Sequence, residues 1–414
     1  MRFAFPCALN SLTHSAMAPL ILIAGGYSGV IHTLSFDPRL SPPTLNITSS
    51  VSAGLAPTWL VHSPSSSRVW SLDEWGTGQS VYTSHQISPT GVLTPTSNAP
   101  SSYDPTLAAS EHWPCHGTLL TSTTPHRLLV ATYKGATLSS LPLLPSGDFD
   151  LSEESGGRQT IHFADTGELG PVKERQEQDH PHGVHIDPTG QFVLVPDLGT
   201  DCLKVLRINR MGDLVRGEDV RLEAGDGPRH VLWSITGSGT TVIYILNELH
   251  NSISIYDVSY PSASSPSLFP TFTKSQCRIS ILPPAPHAHQ SDFSTWHCAE
   301  IALSHDGRTL VASNRAEGHD PAGADPSSLV HAEDLLALFD VENTGKIIPE
   351  SKRMVGSGGR APRHLCSSRV EEREWVAVAL HDSDEVVIFE LLKGVLKEVV
   401  RKKGVGKPAC VLFV

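Results

Sequence analysis

The sequence predicts an all-β chain closed into a ring, a seven-bladed β-propeller whose N-terminal blade is completed by the C-terminal strand. Three observations carry this reading. One phrase recurs six times: a polar lead-in, an alternating strand, a turn, a second strand, a polar corner and a third strand. No long segment shows the 3.6-residue apolar period of an amphipathic helix. Residues 20–37 form a unit without a first strand, whereas residues 407–414 read as a first strand without a unit.

The elements follow in chain order. Met1–Pro19 carries polar residues where a secretory leader needs an unbroken apolar run, so it reads as a loose extension, with Met17 an alternative start. The propeller then spans residues 20–414. Leu20-Ile21-Leu22-Ile23-Ala24 and Val30-Ile31-His32-Thr33-Leu34 flank the corner Gly25-Gly26-Tyr27-Ser28-Gly29. That corner lacks the glycine spacing of a dinucleotide fingerprint, and a strand follows it where a phosphate-binding helix would be needed. Complete units open at Ala56-Pro57-Thr58-Trp59, Trp113-Pro114-Cys115-His116, His180-Pro181-His182-Gly183, Gly227-Pro228-Arg229-His230, His297-Cys298-Ala299-Glu300 and Ala361-Pro362-Arg363-His364. Between Pro57 and Pro362 the mean repeat is about 61 residues, longer than the ~40–50 of shorter propeller repeats because corners carry insertions. In the clearest copy Val184–Asp187 alternates, Pro188-Thr189-Gly190 turns, and Gln191–Pro196 and Leu203–Ile208 are β-branched runs around the corner Asp197–Asp201. Lys407-Pro408-Ala409-Cys410-Val411 repeats the lead-in grammar and closes the ring, which leaves no open sheet edge at the join.

Composition narrows the function. The chain has 414 residues and a formal charge of −12, with no block of like charges, so nucleic acid and membrane surfaces are poor partners. Seven scattered cysteines form no C-x-x-C pair, which argues against a disulfide framework or zinc knuckle and for a cytoplasmic location. No apolar run reaches the ~20 residues of a membrane span. Nucleophile-elbow, Walker A and H-E-x-x-H motifs are all missing from the sequence, and no cofactor or metal is expected. The His-rich Pro286-His287-Ala288-His289 and the insertion Glu317–Asp334 lack fixed ligand spacing. They read as solvated loops, the latter placed directly after Arg315 where it would serve as a lid over the funnel.

Propeller geometry locates the chemistry. Strands alternate in direction from the axis outward, so lead-ins and the corners after second strands share one face and converge on one funnel. The lead-ins supply Thr58, Cys115, His116, His180, His182, Arg229, His230, His297, Glu300, Arg363, His364 and Ala409. The corners supply Tyr27, Asp73, Glu74, Tyr133, Lys134, Asp197, Asn247, Glu248, Asn314, Arg315, His381 and Asp382. Arg229, Arg315 and Arg363 suit a carboxylate or phosphate, because a guanidinium fork binds such groups bidentately. Each arginine also suits an inter-blade ion pair, with Glu248 as a partner. Asp197 and Asp382 suit Asx turns. Strand alternation turns His230 and His364 between the blades. His182 stands between Pro181, which fixes its approach, and Gly183, which leaves room beside it.

His180-Pro181-His182-Gly183-Val184, Val195-Pro196-Asp197-Leu198-Gly199, Gly227-Pro228-Arg229-His230, Asn247-Glu248-Leu249 and Ser313-Asn314-Arg315 together resemble the seven-bladed β-propeller lactonase family. That family includes bacterial 6-phosphogluconolactonase and fungal 3-carboxy-cis,cis-muconate cyclase. The resemblance implies a site of His182, Arg229, Glu248 and Arg315; the funnel slots add His180, Asn247, Arg363 and Asp197 as candidate substrate-binding residues. It implies hydrolysis of a small anionic lactone such as 6-phosphogluconolactone, with Glu248 or His182 as general base; the alternatives are lactonizing cyclase chemistry on a muconate and a non-catalytic docking platform. The corners Trp75-Gly76-Thr77 and Tyr133-Lys134-Gly135 follow the family pattern only loosely, and the sequence leaves the oligomeric state open.

Overall fold

A computed structural model describes residues 18–414 except 77–80, 101–111, 153–156, 164–167, 263–266, 284–295 and 317–333. All of the N-terminal extension but Ala18 and Pro19, the His-rich loop and all of the 317–334 insertion but Asp334 therefore lie outside the described residues. Every regular element among those described is a strand, and the strands form seven antiparallel sheets in a ring. Blade 1 comprises Leu20–Gly26, Val30–Asp37 and Thr44–Ser52, and its innermost strand is Pro408–Phe413 from the other end of the chain. Leu22 pairs with Phe413, Ala24 with Val411 and Gly25 with Cys410.

Blades 2 to 7 begin at Pro57, Pro114, His185, Pro228, Trp296 and Pro362. The innermost strand of blade 4 is short, His185–Ile186, preceded by a single bridge from Pro181 to Asp197. Each blade also has an outer fourth strand, such as Thr44–Ser52 or Val395–Lys403, with charged and hydroxyl side chains facing solvent.

The second strands are apolar on both faces because each blade is packed between two others. Phe192–Asp197 and Arg127–Thr132 are buried throughout. The apolar core is accordingly divided into seven inter-blade layers. One layer joins blades 7 and 1 through Trp375, Phe36 and Val411; another joins blades 1 and 2 through Ile23, Leu60 and Cys410. The C-terminal strand thus contributes to the cores on both of its sides. No helix of the described residues is long and apolar enough to cross a membrane.

One backbone irregularity positions the site. At the start of blades 2, 3, 5, 6 and 7 and at the closing strand of blade 1, the register slips by one residue. Pro57 pairs with Asp73 and Trp59 with Leu72; Pro114 pairs with Thr132 and His116 with Ala131; Pro228 pairs with Asn247 and His230 with Leu246. The extra residue of such a bulge is re-aimed, and the parity of those after it is reversed. Thr58, Cys115, Arg229, Arg363 and Ala409 therefore line the funnel. His116, His230, Glu300 and His364 gather beneath it instead, at the axis, against Trp59, whose ring forms part of the cavity floor. The expectation that His230 and His364 lie between blades is corrected by this bulge, which simple alternation does not contain.

Candidate active site

The funnel mouth is a cavity of about 690 Å³ lined from all seven blades. At its base stands Glu248, on the corner after Thr241–Asn247 and 2 % exposed. Arg229 Nη1 donates to Glu248 Oε2 at 2.8 Å, while Arg175 Nη2 and Arg315 Nη2 donate to Oε1 at 2.9 and 3.3 Å. Backbone carbonyls fix the two deeper arginines: Arg229 Nε donates to Ala299 O at 2.7 Å and Arg315 Nε to His297 O at 3.3 Å. Burial raises the proton affinity of Glu248, but Arg229, Arg175 and Arg315 together outweigh it and hold the carboxyl well below its ordinary range. It is a carboxylate that organises three cations.

His182 lies beside this cluster. Its Nε2 accepts from Arg229 Nη1 and is 3.9 Å from Glu248 Oε2. Burial first, and then the Arg229 charge, hold the ring neutral, well below its ordinary 6.5. Gly183 is required here for space: a Cβ would come within 2.5 Å of His185 Nε2 and 2.9 Å of the Arg229 carbonyl.

Of the other expected residues, Arg363 faces the cavity, its guanidinium 5.6 Å above the Tyr27 ring. His180 packs behind the wall, stacked on Tyr133 at 4.0 Å, with Nε2 3.1 Å from Glu177. His180 is thereby corrected as a substrate contact, and two further candidates are corrected with it. Asn247 is fully buried and its amide donates to Ser252 and Ser254 within the blade, away from the cavity. Asp197 accepts from the backbone N–H groups of His180, Gly199 and Thr200 and pairs with the buried Lys204 at 3.3 Å, a corner staple with no face to substrate. Burial pushes its carboxyl up to about 7.

Arg175 was not legible as a slot residue. It sits on a segment without strand periodicity, fixed by its neighbour: the buried Gln176 side chain donates to Leu198 O and Asp201 Oδ1 and accepts from Val172 N. The run Glu174-Arg175-Gln176 just before the His-Pro-His element was the available signal. With Arg363 and Lys407 opposite, the lining carries five cationic side chains against the carboxylates Glu74 and Glu248. An anion is the ligand this excess favours, and the pocket concentrates it despite the acidic chain as a whole. Among the described residues no group of three or more His, Cys, Asp or Glu is arranged to hold a metal.

The buried histidines set a pH dependence of stability. His116 and His182 are held well below 6.5, His364 is lowered, and His185 lies at about 3, in each case chiefly by burial. The unfolded chain takes up these protons near 6.5 while the folded chain does not, so stability is full above pH 6.5 and falls as pH drops toward the folded values. Glu248 and Glu300 are depressed carboxyls whose contribution is lost only below their ordinary range near 4.5. Asp197, raised to about 7, contributes the opposite slope over the same window, one group against these four rings. The urea midpoint is therefore expected to drop between pH 7.5 and pH 5; a flat midpoint in Asp197→Asn, which lacks that opposing group, would contradict neutral burial of these rings.

The family model described as lactonase, 7-bladed beta-propeller, matches residues 21–413. A probable 6-phosphogluconolactonase of Arthroderma benhamiae is 24% identical over 387 residues, 92% of this chain and 84% of that protein. A 6-phosphogluconolactonase of Yersinia enterocolitica is 27% identical over 191 residues, 44% of this chain; the alignment spans about half of that relative, 52%. Among solved structures, the periplasmic gluconolactonase of Pseudomonas aeruginosa superposes with a TM-score of 0.72 at 21% identity, covering 96% of this chain and 99% of that one, a likeness of fold.

Proposed function

This chain belongs to the seven-bladed β-propeller lactonase family, and from that premise we propose that it hydrolyses a small anionic sugar lactone such as 6-phosphogluconolactone. The observation that carries the reading is the shared carboxylate: Glu248 holds three guanidinium groups within 3.3 Å at the floor of a cavity with further cations at its rim. Arg229 and Arg315 then polarise the ester carbonyl and stabilise the tetrahedral oxyanion, while Arg363 and Lys407 face the substrate's anionic group. Both oxygens of Glu248 are engaged by guanidinium groups, so the base in this reading is His182, whose Nε2 is freed when Arg229 Nη1 turns from it to the bound carbonyl oxygen. A water gives its proton to His182 Nε2 as its oxygen bonds to the carbonyl carbon. The ring C–O bond then breaks, and the alkoxide takes the proton back from His182. The hydroxy acid ionises and releases one proton to solvent. The six free cysteines among the described residues support a cytoplasmic setting for this chemistry.

The test is acid release from 6-phosphogluconolactone and a panel of other lactones, read with a pH indicator. Acceleration is expected for anionic lactones, and His182→Asn is expected to lower kcat by about 10²–10⁴-fold, the usual worth of a general base, with KM within about threefold. No acceleration with any lactone would overturn the reading. Loss of 3-carboxymuconate absorbance in its place would reassign the same pocket to cyclase chemistry, and silence on both substrates with a co-purifying macromolecule would favour a docking platform.

A further inference from the structure

Beneath the pocket, on the axis, the residues after the bulges form a floor that the hydrolysis scheme leaves unused. Trp59 stands 5.1 Å from His364 and 5.7 Å from His230 by ring centroids, and His116 stands 5.0 Å from His230. Glu300 is the carboxylate of this floor, with His230 Nδ1 at 2.9 Å from Oε1 and His364 Nε2 at 3.5 Å from Oε2.

Backbone donors decide which rings can take a proton. Val184 N donates to His116 Nδ1, Val231 N to His185 Nε2 and Val411 N to His364 Nδ1. Each of these rings is thereby fixed as a neutral tautomer with its lone pair occupied. His230 differs. Its Nδ1–H is directed at Glu300, and its buried Nε2 has no hydrogen-bond partner. His182 presents the complementary atom: Nε2 accepts from Arg229, so Nδ1 carries the hydrogen, and that Nδ1 is likewise buried and unpartnered. The two ring centroids are 5.8 Å apart and the ring planes are inclined at 72°, a separation short enough for a single water to link the two nitrogens.

We propose that His230, backed by Glu300, is a positioning and proton-accepting residue behind His182, resting on the lactone-hydrolysis reading above. As Arg229 Nη1 turns to the substrate carbonyl and His182 Nε2 takes the proton of the attacking water, the Nδ1 proton of His182 passes through an intervening water to His230 Nε2. When the ring C–O bond breaks, the protons return and reach the alkoxide. The transfer moves positive charge from His182, in contact with Arg229, to a ring 2.9 Å from a carboxylate, the arrangement by which a buried carboxylate stabilises an imidazolium. The charged and titratable groups around the pair are Arg229, Glu248, Tyr133, His116, His185 and His364, with the thiols Cys366 and Cys410 within the electrostatic reach of Glu300.

The experiment compares Glu300→Gln and His230→Gln with the control His364→Gln, whose ring touches the same carboxylate but has its Nδ1 closed by Val411. The first two are expected to lower kcat on the order of 10- to 100-fold, as for partners that orient a working histidine, with KM nearly unchanged. In Glu300→Gln the acid limb of the kcat–pH profile is expected to move to lower pH. The solvent isotope effect is expected to fall from a two-proton to a one-proton inventory in both. His364→Gln is expected to keep the wild-type profile and inventory, whatever its melting point. An active wild type with an unchanged Glu300→Gln, or an equally impaired His364→Gln, overturns the relay alone; a wild type inert toward every lactone removes the hydrolysis reading first. Should the variants fail to fold, nitrogen NMR of the wild type decides: His230 protonated on Nδ1 and His182 on Nδ1 is expected, and the opposite tautomer in either ring refutes the proposal.

Discussion

Glu248→Gln is expected to lower kcat/KM for an anionic lactone by at least about 10³-fold and to destabilise the fold by about 3–5 kcal/mol, the usual cost of stripping a buried ion cluster of its counter-charge. The change keeps the size of the side chain and removes its charge. Three guanidinium groups, within 2.8–3.3 Å of that one side chain, then repel one another in a site 2 % exposed. Arg229 also loses the contact that orients it against His182, so catalysis suffers beyond any loss of binding. An anion should restore part of the balance. Phosphate is therefore expected to raise the melting temperature of Glu248→Gln more than that of the wild type, by the mass-action stabilisation of a ligand that binds only the folded state. Activity within tenfold of wild type, with no added response to phosphate, would show that Glu248 is incidental to the cluster.

Ending the chain at Lys407 is expected to abolish folding to a closed ring. Pro408–Phe413 is the innermost strand of blade 1, and its Cys410 and Val411 are fully buried in two different inter-blade cores. Burial contributes about 1.5–3 kcal/mol for each large apolar side chain, and the lost strand pairing about 1 kcal/mol per hydrogen bond. The sum is of the same order as the total stability of a typical domain, about 5–15 kcal/mol. The truncation also bares the edge of Leu20–Gly26, an apolar strand ready to pair with another chain. Aggregation on expression is expected, with partial rescue by a peptide spanning residues 405–414. A soluble truncated chain with wild-type melting would contradict closure by the two ends.

Much of this architecture is legible in the sequence because inner strands obey a simple rule. They are buried on both faces and bounded by turn residues, so Phe192–Asp197 stands out, whereas the outer strand Thr44–Ser52 is nearly polar and carries little signal. His182, Arg229, Glu248 and Arg315 are legible as a set because topology, not local structure, brings lead-ins and corners together. What period-two reasoning misses is the bulge. One extra residue sends Arg229 up into the pocket and His230 down to the axis, although both lie on the same strand. Arg175 is missed for another reason: hydrogen bonds from the Gln176 side chain fix its segment, and no pattern of apolar residues announces them. Asn247 and Asp197 occupy the right slots, but their short side chains turn back to hydroxyls and backbone amides of their own blades.

The charge pattern links fold to function. Positive side chains are concentrated in the funnel of a chain whose formal charge is −12, so the pocket attracts the anions that the rest of the surface repels. The most direct test is a crystal structure with the hydrolysis product, 6-phosphogluconate. The expected result is the product in the 690 Å³ cavity, its carboxylate on Arg229 and Arg315 beside His182 and its phosphate toward Arg363 and Lys407. Product bound elsewhere on the molecule, or no product bound at millimolar concentration, would contradict the assignment of this pocket.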